Sequence, residues 1–161
     1  MVIAYDKNMK EDKYLIAVEN LFKAIDIAVN SLHKYPQERL GDDFIDFYKG
    51  LKNKILNHEI KFKNLKSHKY NIEAVFTYFQ ECSGPDVEYF WKQIKDANLP
   101  FTRKNRLQKI LKRKRIINAI EYDFVTDIIV PYHQEGMITE EEVILLNTYL
   151  GNFENRKKNK V

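Results

Sequence analysis

The most regular pattern in the chain runs from Glu11 to Lys34, where Leu15, Val18, Phe22, Ile25, Val29 and Leu32 recur at alternating three- and four-residue steps. That spacing predicts a helix with one apolar stripe. Tyr14, Leu21 and Ala28 widen the stripe, which fits burial among several helices better than a two-stranded coiled-coil seam. Pro36 disfavours a helical Tyr35, so the helix stops there, and Gly41 precedes a new start at Asp42. The second helix is predicted to carry Phe44, Phe47, Leu51, Ile55, His58, Phe62 and Leu65 on one face and mostly lysine on the other. A break near Ser67 to Asn71 leads to a third helix that buries Ile72, Val75, Phe76 and Phe79. Ser83-Gly84-Pro85-Asp86 reads as a stop and restart, because proline fits a first helical turn and Asp86 and Glu88 complement the dipole there. The fourth helix, with Val87, Phe90, Trp91 and Ile94 inside, is expected to end before Asn98-Leu99-Pro100.

The last third is predicted to hold two successive helix-turn-helix corners. Gly136 suits a helix C-terminus, and Thr139 with Glu142 forms a capping box for the next helix. Twenty-one residues earlier, Arg115-Ile116-Ile117-Asn118-Ala119-Ile120-Glu121 repeats the arrangement: two apolar residues, a capping residue and a glutamate three positions on. Val125 then corresponds to Leu146 and Ile129 to Leu150. Pro131 opposes a perfect match, since inside a helix it removes a hydrogen bond and clashes with the carbonyl of Asp127; the sixth helix is expected to kink or end near Val130.

The expected fold is therefore all-α, a compact bundle of about seven helices. Residues 1–155 are expected to form one helical domain and residues 156–161 a basic flexible tail. The predicted core comprises Leu15, Val18, Phe22, Ile25, Val29, Phe47, Leu51, Phe76, Phe79, Phe90, Trp91, Leu107, Leu111, Val125, Ile128, Leu146 and Leu150.

Composition agrees with that picture. The chain has 161 residues, of which 44% are apolar and 31% charged, far from the balance of a disordered chain. Five glycines and four prolines are too few for the many reversals of an all-β protein. The single cysteine, Cys82, forms no intramolecular disulfide, and the N-terminus lacks a signal-peptide pattern. No apolar run is long enough to span a membrane, so the cytoplasm is the expected location. Richness in lysine, asparagine and isoleucine points to a bacterial gene of low G+C content.

Catalytic chemistry finds little local support. Asp42-Asp43-Phe44-Ile45-Asp46 spells the DDxxD pattern with which isoprenoid synthases hold magnesium and diphosphate, but no second metal motif accompanies it. Acidic residues in a first helical turn are ordinary dipole complements. His33, His58, His68 and His133 show no HExxH or zinc-type spacing, and Cys82 lacks a Cys/His signature, which makes it a buried structural thiol. There is no GxGxxG, P-loop or GxSxG sequence. An enzyme is the least favoured class, and no catalytic residue, cofactor or metal is expected.

Charge is the feature that stands above background. Residues 103–115 contain Arg103, Lys104, Arg106, Lys109, Lys112, Arg113, Lys114 and Arg115 with no acid, whereas residues 116–155 contain eight acids and no lysine or arginine. A second basic stretch, 49–69, has seven lysines against Glu59 alone. On a helical wheel Leu107, Ile110 and Leu111 face inward and Arg106, Lys109, Lys112 and Arg113 face outward, available to a partner. A merely solvated face is the plain alternative, and internal neutralisation by the acidic helices is another. The first expectation is a non-catalytic helical interaction protein, such as an adaptor, an immunity-type inhibitor or a regulatory subunit, that recognises a protein partner. The second is a nucleic-acid binder using the basic helix 103–115, with Lys52, Lys61 and Lys63 as further candidates, though the net charge is only +4. Membrane-surface docking by that helix is disfavoured by its narrow apolar face and lack of an aromatic anchor. Self-association is left open.

Overall fold

The computed structural model describes residues 2–38 and 40–159, with side chains from residue 8 onward. Among these residues the chain forms seven α-helices and one short 3-10 turn, and no strand. The helices are α1 (Val2–Lys34), α2 (Asp42–Leu56), α3 (Leu65–Glu81), α4 (Pro85–Asp96), α5 (Gln108–Arg113), α6 (Ala119–Gln134) and α7 (Glu140–Lys158), with the 3-10 turn at Ile60–Phe62. Contacts divide the chain into two compact units: Met1–Glu81 with Pro85–Thr102, and Cys82–Gly84 with Arg103–Val161.

In the N-terminal unit α1 is the central element, packed by α2, α3 and α4. It starts upstream of the predicted Glu11 and ends at Lys34, before Tyr35 and Pro36, as the proline requires. Its buried line is Tyr14, Val18, Leu21, Ile25, Ala28 and Leu32. This line has the predicted three-and-four spacing, rotated by one residue at every second position. Leu15 is consequently 57% exposed, and Phe22 and Val29 are only half-buried, against the predicted core. The small residues Ala24, Ala28 and Ser31 are fully buried beside this line.

The predicted second helix is in fact two elements. α2 ends at Leu56, and α3 begins at Leu65, earlier than the expected break at 67–71. Asn64 explains the start: its side-chain oxygen accepts the Ser67 N–H at 3.0 Å, an N-cap hydrogen bond. His58 therefore lies half-buried in the connection, and Phe62 and Leu65 are exposed, as is Phe47 on α2. Tyr48, Leu51 and Ile55 form the true inner face of α2, with the Tyr48 hydroxyl donating to the Val75 carbonyl at 2.8 Å. Phe79 and Phe90 stack with centroids 3.7 Å apart, and the Trp91 indole N–H donates to the Phe79 carbonyl at 2.8 Å. Each such fully buried aromatic contributes about 1.5–3 kcal/mol through removal of apolar surface from water. α4 starts at Pro85 and stops before Asn98, whose φ of 51° is left-handed, matching the expected boundaries.

In the C-terminal unit the core comprises Leu107, Ile110, Ile116, Val125, Ile128, Ile129, Tyr132, Ile138, Leu146 and Tyr149. Both corners form. Thr139 and Glu142 make both bonds of the capping box, and Asn118 accepts the Glu121 N–H at 2.8 Å. Val125 and Leu146, paired by the internal correspondence, are both fully buried. The corners differ in register, because Ile116 is buried two residues before its cap whereas Ile138 is buried one before. α6 does not end at Val130 but continues through Pro131 to Gln134. Residues 156–158 form the last turn of α7, and Lys160 and Val161 lie outside the described residues.

Candidate functional site

The basic stretch 103–115 is not one helix. Residues 103–107 are non-helical, and α5 spans six residues. Asn105 accounts for the late start: its oxygen accepts the Leu107 N–H at 3.0 Å, and its amide donates to the Met137 carbonyl at 2.7 Å. Lys114 accounts for the end, adopting a left-handed conformation at φ 61° with its N–H on the Ile110 carbonyl. Leu107 and Ile110 are buried and Leu111 half-buried, so the predicted inner face is correct.

On the outer face Arg106, Lys109 and Lys112 are exposed. Arg106 lies over the Phe124 ring, 5.2 Å from its centroid. Arg113 differs from the other three. It is half-buried, its guanidinium donates to the Arg115 carbonyl at 3.2 and 3.1 Å, and it bonds the Glu121 carboxylate at 2.5 Å. Arg113 thus points into the α5–α6 corner rather than away from it. Glu121 also accepts the Ile117 N–H at 3.1 Å. Burial pushes the Glu121 carboxyl up, but the bonds from Arg113 and Ile117 and the charges of Arg113 and Lys109 outweigh it and hold the group below the usual range. Arg103 bridges to Glu135 at 3.4 Å, so part of the charge segregation is consumed inside the unit.

A second basic segment reaches the same corner. The Arg156 guanidinium donates to the Ile116 carbonyl at 2.7 Å, which places the last turns of α7 beside Lys114 and Arg115. Tyr122 of α6 and Phe153 of α7 stack at 5.4 Å, and Arg156 and Lys157 lie 5.6 and 5.5 Å from the Phe153 centroid. The Tyr122 hydroxyl donates to Glu154. Tyr122, Phe153, Glu154, Lys157 and Lys158 line an open cleft of about 350 Å³. Arg156, Lys157 and Lys158 are the residues that a tail assignment conceals; basic residues are favoured in a last helical turn, and that was the available signal.

The other candidate chemistry stays dispersed. Asp42, Asp43 and Asp46 are exposed in the first turns of α2. Among the described residues no three His, Cys, Asp or Glu side chains converge as a metal ion requires. Cys82 is half-buried rather than buried, and His33 is exposed. His133 pairs with Glu140 at 3.1 Å. His68 is buried on α3, edge-on to Tyr14 and bonded to the Asn71 amide at 3.2 Å; burial pulls its pKa below the usual value despite an opposing backbone bond to Ala17. Comparison with protein-family models, with curated proteins and with solved structures finds no match to this chain.

Proposed function

We propose that this chain is a non-catalytic helical interaction protein of the cytoplasm that recognises a macromolecular partner through the basic end of its C-terminal unit. The observation that carries the reading is the convergence of two sequence-distant basic segments on one corner, fastened by the Arg156 bond to the Ile116 carbonyl. Arg106, Lys109 and Lys112 remain exposed there although acids of the same unit engage Arg103 and Arg113. A field of exposed cations attracts an acidic partner and speeds its encounter. A protein partner is the first reading. Nucleic acid is the second, favoured by the stacked Tyr122 and Phe153 rings beside Lys157 and Lys158, since bases stack on aromatic faces while cations hold phosphates. Affinity capture from the native organism, with protein and nucleic acid both identified, tests the proposal. The partner should be captured by the wild-type chain and lost from a folded Arg106→Glu, Lys109→Glu, Lys112→Glu variant. If the partner is nucleic acid, the logarithm of affinity should also fall with log salt by about 0.9 per duplex phosphate neutralised. Equal capture by both chains refutes the proposal.

A further inference from the structure

The α2–α3 connection of the N-terminal unit exposes an unusual concentration of bulky apolar side chains. Ile60 is 88% exposed, and Leu56, Phe62 and Leu65 are each roughly half exposed. Scattered exposed leucines need no explanation, but a contiguous cluster marks an interaction site. Its position follows from the packing. Phe44 and Ile45 lie beside Leu32, and Tyr48 and Lys52 beside Val29 and Ile25, so α2 runs antiparallel to α1. α3 starts next to the early turns of α1, where the Tyr14 and His68 rings meet at 5.7 Å. The connection therefore lies beside α1 near Tyr14, three turns after that helix begins.

Lysines surround the cluster. Lys54, Lys61, Lys63, Lys66 and Lys69 are all exposed, and Glu59, the acid among them, is bound by Lys61 at 2.7 Å. We propose that this lysine-rimmed apolar connection docks on an anionic lipid surface, with Ile60 and Phe62 entering the boundary between headgroups and acyl chains and the lysines meeting lipid phosphates. A second copy of the chain would set one lysine rim against another. Nucleic acid would meet chiefly the aliphatic Leu56, Ile60 and Leu65, which offer no ring for a base to stack on. A partner helix needs a groove, whereas Ile60 protrudes from a single turn. A bilayer accepts protruding apolar groups and positive charge without shape matching. No helix among the described residues is long and apolar enough to cross a membrane, so the association is with the surface. None of these residues belongs to the C-terminal unit.

Co-sedimentation of the full chain with vesicles tests the proposal, comparing phosphatidylcholine mixed with phosphatidylserine against phosphatidylcholine alone. The chain should sediment with the anionic vesicles and stay in solution with the neutral ones. Ile60→Ser with Phe62→Ser should weaken binding about tenfold or more, with helical content unchanged because both side chains are exposed. Lys63→Gln and Lys66→Gln should each weaken it roughly fivefold. Absence of binding to anionic vesicles overturns the proposal, and so does binding that the Ile60 and Phe62 changes leave intact. Loss of a protein or nucleic-acid partner in that double variant, without vesicle binding in the wild type, overturns it as well.

Discussion

Replacing Arg113 with alanine separates a residue that builds the corner from those that face a partner. The guanidinium makes two bonds to the Arg115 carbonyl and a 2.5 Å bond to Glu121, whose carboxylate then keeps only the Ile117 N–H. A hydrogen bond involving a charged group contributes about 1.5–3 kcal/mol. Both side chains retain about a quarter of their exposure, which moves the expectation to the lower end of that range, about 1.5–2 kcal/mol. For a chain of this size the loss lowers the thermal midpoint by roughly 3–8 °C. Thermal denaturation followed by far-ultraviolet circular dichroism measures it, and a double-mutant cycle with Glu121→Gln isolates the pair. A variant within about 0.5 kcal/mol of wild type, or a coupling near zero, would show that Arg113 is merely another surface cation.

Three further outcomes are expected. Asn118→Ala and Thr139→Ala should each cost about 1 kcal/mol in denaturant unfolding, because each removes a cap hydrogen bond; a cost at one site alone would break the equivalence of the two corners. Lys114→Gly should raise stability by roughly 1 kcal/mol, since glycine adopts the left-handed φ of 61° without the penalty a side chain incurs, and a destabilised variant would contradict this. Stability should decline as pH falls below about 6.5, where unfolded histidine takes up a proton that buried His68 resists, so the unfolded state binds more protons. His68→Leu should flatten that part of the profile in urea titrations, and an unchanged profile would remove His68 as its source.

Much of the architecture was readable from the chain because its boundaries rest on local chemistry. Pro36, the Gly84-Pro85 pair, Asn118 and Thr139 each act within a few residues of themselves, and the helices start or stop at them. Rotation of α1 was not readable. Leu15, Phe22 and Val29 form as regular an apolar line as Tyr14, Leu21 and Ala28, and the choice between them depends on helices that pack close to Ala24 and Ser31. The α2–α3 break was expected too late, near Ser67 to Asn71, because apolar residues keep helical spacing from Leu51 to Leu65, while Asn64 sits among lysines as an inconspicuous cap. At the basic surface, the wheel placed Arg106, Lys109 and Lys112 outward correctly. It misplaced Arg113, whose partner Glu121 is eight residues away across a corner. Arg156 could not be joined to Ile116, forty residues distant, by any local rule.

The central claim is tested most directly by titrating the captured partner against the wild-type chain and against the Arg106→Glu, Lys109→Glu, Lys112→Glu variant, with the thermal midpoint of each recorded in the same buffer. All three side chains are exposed, so the variant should stay folded, with a loss of about 1–2 kcal/mol from the Arg106–Phe124 contact and the Lys109 charge near Glu121. Its affinity should fall about tenfold or more, and the loss should shrink as salt screens the charges. A stably folded variant that binds its partner with wild-type affinity would contradict the account and leave the basic surface as nothing more than a solvated face.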